Sequence, residues 1–159
     1  MKDWPYDYLI ATGCYSNVPN HYIGAISISC WFPKWYGNPI VMRNLAPHGF
    51  KNDPIPEYIP KFKKLLSKLD PHEVATEAKA KVYKRATARG LSDQEASQIT
   101  PILLCWETPE KFCHRHMVSE WLNNEMGMYV PEVKVRLGKL NIIERKKKPK
   151  EGPDQLSLL

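Results

Sequence analysis

No run in this 159-residue sequence is long and apolar enough to cross a membrane, and none of its four cysteines stands in a CxxC pair. The first absence excludes a helical membrane protein, because a span needs roughly 20 mainly apolar residues. The second argues against the disulfide framework of a small secreted domain. Residues Met1 to Tyr8 also lack the apolar core of a signal peptide. These absences lead to the expectation of a soluble, cytoplasmic chain with reduced thiols and no membrane partner. Charge of one sign is scarce too, once its distribution is considered. Lys139, Arg145, Lys146, Lys147, Lys148 and Lys150 against Glu144, Glu151 and Asp154 carry half of the net charge of +6, leaving residues 1–138 only mildly basic. Charge alone therefore does not make the body a nucleic-acid binder.

What is present suits one domain, large enough to bury a core without metal or disulfide support. Tyr8, Leu9, Ile10 and Ala11 read as a first strand, with Gly13 to Asn20 as a loop. Ala25 to Cys30 alternates small or apolar residues with serine, as a strand does, and Pro33 ends it. Lys34, Trp35 and Tyr36 then open an aromatic loop, which is either a lid over the core or a stacking surface for a base. Pro60 is expected in the first turn of a helix whose buried face is Phe62, Leu65, Leu66 and Leu69, with lysines on the other side. Asp70, Pro71 and Glu73 start a second helix that should stop near Gly90, and Ser92 caps a short third one.

The densest chemistry lies in Pro101 to Leu122, PILLCWETPEKFCHRHMVSEWL. Ile102, Leu103, Leu104 and Cys105 form the short apolar run of a buried strand. Thr108 and Pro109 read as N-cap and first residue of a helix that continues through Val118, Trp121 and Leu122 to Asn123 and Asn124. A strand followed by a helix presents its connecting residues at the carboxyl end of the sheet, where ligands bind in open α/β folds.

Several roles compete for those residues. Cys105, Cys113, His114 and His116 offer thiols and imidazoles to a metal, but C-x(7)-C-H-x-H is not a usual structural zinc spacing. Neighbours on a helix also diverge by about 100°, which sets Cys113 and His114 apart. An anion or nucleotide site is preferred, with Arg115 as a forked donor at a helix start, and no metal or cofactor is called for. Cys113 is either an activated nucleophile or a small core group. Glu107, with Arg115 or His114 as its natural partner, is either a general base or nucleophile, or half of an ion pair that fixes the turn.

LLCWE followed by FCHRHMVSEWL resembles the signature of the DUF488 family of small bacterial and phage proteins. Thr12 to Asn17 (TGCYSN), Ser27 to Tyr36 (SISCWFPKWY) and Leu45, Ala46 and Pro47 fit the same resemblance, which covers most of residues 8–125. It implies a compact α/β domain, with a small, mainly parallel sheet flanked by helices, and a polar site around the matching residues. It supplies no reaction. One reading is an enzyme acting on nucleotides or nucleic-acid bases. In it Thr12, Tyr15, Ser16 and Asn17 meet Glu107, Cys113, His114 and Arg115 in one pocket, and Lys34 and Trp35 contribute to ligand binding. The other is a non-catalytic module.

Residues 139–159 are expected to be a basic linker and peptide following the domain at 1–138, because ERKKKPKEGPD has nothing to bury. The chain then ends Gln155, Leu156, Ser157, Leu158, Leu159. This pentapeptide is similar to the bacterial sliding-clamp-binding motif, with leucine where phenylalanine is commoner at the last position. The resemblance implies a clamp partner held through an amide and a pair of apolar anchors.

Overall fold

The computed structural model describes residues 10–144. Ten regular elements follow in order. They are β1 (Ala11–Cys14), β2 (Ala25–Ser27), β3 (Ile40–Val41), α1 (Ile55–Ser67), α2 (Pro71–Ala88), α3 (Asp93–Ser97), β4 (Ile102–Cys105), α4 (His114–Met126), β5 (Val133–Arg136) and β6 (Lys139–Ile142). The first four strands form a parallel sheet in the order β1-β4-β2-β3, and β5 pairs antiparallel with β6. The domain is therefore mixed α/β. Of the strand expected at Tyr8 to Ala11, Tyr8 and Leu9 lie outside the described residues; β1 runs from Ala11 to Cys14, into the expected loop, because it pairs with β4, Ala11 opposite Ile102 and Cys14 opposite Cys105. The strand expected over Ala25 to Cys30 keeps its ladder for Ala25–Ser27, and Ile28 extends it by one bond to the Leu104 carbonyl.

Alternation along the central strand divides the core in two, as the period of a strand requires. Leu103 of β4 and Ile26 of β2 face the helices, packing with Phe62 and Leu66 of α1, Val74, Ala78 and Val82 of α2, and Val118 and Leu122 of α4. Ile102 and Leu104 face the other way, toward Tyr15, Val18, Tyr36, Val133 and Val135. Helices thus cover one face, and the β5–β6 hairpin and the aromatic segment after β1 and β2 close the other. The hairpin turns through Leu137 and Gly138, both at positive φ (52° and 77°), the geometry of a tight two-residue connection. Strand β6 begins at Lys139, so the fold continues beyond the boundary expected at residue 138.

Local chemistry accounts for most helix ends. Asp70 accepts from the His72 N–H at 2.9 Å to start α2, and Gly90, at φ 93°, follows its end. Ser92 and Glu95 form a reciprocal capping box for α3. Two starts differ from expectation. Helix α1 begins at Ile55, placing Pro60 inside it, where only one N–H is lost and where burial of Tyr58 and Ile59 favours the extra turn. Helix α4 begins at His114 and not at Pro109, because Cys113 is its N-cap in an extended conformation (φ −154°, ψ 146°). Thr108 closes only a turn, its carbonyl accepting from the Lys111 N–H.

Candidate functional site

All four parallel strands point their carboxyl ends to one side, and the segments that follow β2, β3 and β4 enclose a cleft of about 330 Å³ there. Ser29, Cys30 and Trp31 come from the first of these, Lys51 and Asp53 from the second, and Trp106, Glu107 and Cys113 from the third, with His114 opening α4 at its base. Glu107, Cys113 and His114 thus meet in one place. Trp31 and Trp106 stand at the cleft 68% and 51% exposed, while the Trp106 Nε1–H donates to the Trp31 carbonyl at 2.7 Å. That bond holds one indole in place while leaving much of it open to solvent.

Residue by residue, the site departs from expectation in informative ways. Arg115 is fully buried, and its Nε and Nη2 donate to the two carboxylate oxygens of Glu132 at 2.8–3.2 Å. Its Nη1 donates to Cys105 Sγ at 3.2 Å. The guanidinium fork is spent inside the protein, on a partner 17 residues later, so neither Glu107 nor a ligand has it. Thr12 belongs to the same network, donating to Glu132 Oε1 at 2.7 Å, and is buried away from the cleft. Glu107 stands exposed at the cleft with no hydrogen bond or ion pair among the described residues. The desolvated ion pair expected of it belongs instead to Glu132. That acid could have been suspected from its setting, a lone carboxylate within MYVPEVKV.

The thiols also differ from expectation. Cys105 and Cys113 are joined in a disulfide, whereas Cys14 and Cys30 are free. Cys113 is therefore not a nucleophile in this state. His114 is buried, and its Nε2–H donates to the Ile28 carbonyl at 2.7 Å, tying the start of α4 to the end of β2. Burial drives its pKa down to about 4, the Ile28 bond opposes this and the Arg115 charge adds to it, so the ring is neutral with Nδ1 unprotonated. Nδ1 lies 4.0 Å from Cys113 Sγ. Burial likewise raises the Cys30 thiol pKa, against the lowering influence of Lys51 and Arg43. Among the described residues, Cys105, Cys113 and His114 are the one cluster of three or more His, Cys, Asp or Glu side chains placed to hold a metal ion, their ligand atoms lying within 4.8 Å of one another. The divergence of about 100° between helical neighbours does not apply to Cys113 and His114, because Cys113 is an extended N-cap outside the helix.

Four of the remaining expected ligand residues, Tyr15, Ser16, Asn17 and Trp35, meet Lys134 and Arg136 of β5 in a second cleft of about 270 Å³. Tyr15 serves mainly as structure, its hydroxyl bonded to Ser27 and Ser29 at 2.7 and 2.5 Å and its pKa raised by burial despite those bonds. Lys34 is exposed and lines neither cleft. Of the aromatic loop, Tyr36 is a lid, buried and donating to the Val18 carbonyl, while Trp35 is 64% exposed. The single pocket expected from the sequence is two. The tail peptide Gln155 to Leu159 lies outside the described residues.

No protein-family model, curated protein or solved structure matches this chain. Nor is any described helix long and apolar enough to cross a membrane.

Proposed function

We propose that the chain is a DUF488-type protein that binds nucleotides or nucleic-acid bases in the cleft at the carboxyl ends of β2, β3 and β4, and that Gln155 to Leu159 tether it to a bacterial sliding clamp. One observation carries the reading of the cleft: a carboxylate with no partner among the described residues, Glu107, stands beside two half-open indoles, Trp31 and Trp106. An aromatic face attracts a base by stacking, worth ~1–3 kcal/mol per base. Lys51, on the same rim, suits a phosphate. Glu107 then accepts a proton from a water or a base edge, the work of a general base. Trp106→Ala should weaken nucleotide or base binding about tenfold, whereas Glu107→Gln should leave affinity within about threefold and remove turnover. If both variants bind as the parent does, the cleft is not the ligand site.

The non-catalytic reading has one specific observation in its favour. The Arg115 fork and Thr12 are committed to Glu132, which makes that part of the expected pocket scaffold. In that reading the tail occupies the clamp while the body blocks or recruits other factors. Clamp binding unchanged by Glu107→Gln, with no nucleotide bound by the parent, would support it.

A further inference from the structure

Cys105, Cys113 and His114 are an unusual group to find joined at the floor of an open cleft. All three are buried, at 1%, 7% and 5% exposure. Their ligand atoms lie within 4.8 Å of one another, although they come from the end of a strand, an extended N-cap and the first residue of a helix. Both surrounding contacts are those that metal ligands use. The His114 Nε2–H is donated to the Ile28 carbonyl, which fixes the ring and leaves the Nδ1 lone pair facing Cys113. A charged donor, Arg115 Nη1, points at Cys105 Sγ.

We propose that these three residues form a zinc site of two thiolates and one imidazole, which the Cys105–Cys113 disulfide closes and reduction opens. The chemistry balances. A thiol reductant supplies two electrons and two protons, the S–S bond breaks, and two thiols form; Zn²⁺ then displaces both thiol protons. The sulfurs need part only to roughly 3.8 Å, the edge of a tetrahedron with ~2.3 Å Zn–S bonds. Charge balances as well, because the ion neutralises two thiolates while Arg115 is already matched by Glu132. A buried neutral site is far less costly than two buried thiolates. Three protein ligands would leave a fourth position open, as in a catalytic rather than a structural zinc, and all three line the same cleft as Glu107. Thiolate and imidazole donors together select zinc over the harder magnesium or calcium.

The inference is independent of the nucleotide reading, and its test contains no nucleotide. The full chain, reduced and kept anaerobic, is titrated with Co²⁺ as a spectroscopic probe. The expected result is one ion per chain with a thiolate-to-cobalt charge-transfer band, displaced by one equivalent of Zn²⁺. The same chain with its disulfide intact, verified by thiol counting, should show no band. Cys113→Ser should weaken Co²⁺ binding at least tenfold. No band in the reduced parent, or an equal band in the disulfide form, would overturn the proposal, and these two arms require no variant to fold.

Discussion

Glu132 is the acid on which the buried polar interior depends, since it accepts from three donor groups: Thr12 Oγ1, Arg115 Nε and Arg115 Nη2. Glu132→Gln would leave the Arg115 charge buried without its counter-ion, an effect of about 3–5 kcal/mol. Urea unfolding should show a loss of that size. A loss under 1 kcal/mol would mean that water reaches the guanidinium. His114 makes a second claim at this scale, in the disulfide form. Its folded pKa of about 4 lies below the ordinary 6.5, so between those values the unfolded chain takes up a proton that the folded chain refuses. The resulting stability is fully present above about pH 6.5 and is lost as pH falls through 4, on the order of 3 kcal/mol in all. Melting temperature followed from pH 7.5 to 4 should fall more steeply for the parent than for His114→Gln, which keeps an N–H for the Ile28 carbonyl. Equal slopes would assign the acid sensitivity to other groups.

At the scale of elements, what could be read from the sequence is what local chemistry determines. Asp70 with Pro71 and the cap Ser92 mark the starts of α2 and α3, and the run Ile102 to Cys105 coincides with β4. The start of α4 was not legible for a physical reason. Thr108 and Pro109 have good capping chemistry of their own, but Cys113 is bonded to Cys105 and His114 to Ile28, and those ties place the helix start at His114. The same division runs through the site. The convergence of Glu107, Cys113 and His114 follows from a strand, a turn and a helix in sequence. The partner of Arg115 does not, because Glu132 reaches it only after the chain leaves α4 and runs beside β1, where it bridges to Thr12. The separation of Tyr15 and Asn17 from Glu107 into two clefts is likewise tertiary, set by β5 bringing Lys134 and Arg136 to the other side.

At the scale of the whole molecule, the proposed function joins a cleft to a tail. Deleting Gln155 to Leu159 removes none of the described core residues and should leave the melting temperature within about 1 °C. Calorimetry against a purified bacterial sliding clamp should show binding by the full chain and none by the truncation, since a few apolar anchors carry most of a peptide's affinity. Equal binding by both would remove the tail from the account. The claim about the cleft meets its most direct test in nuclear magnetic resonance of the indole N–H groups during titration with nucleosides and nucleotides. Five tryptophans report separately, and Trp31 and Trp106 stand at one cleft while Trp35 stands at the other. The account expects the Trp31 and Trp106 signals to shift together and saturably, with Trp35 unmoved. Shifts confined to Trp35, or none at any tryptophan for the whole ligand series, would contradict it.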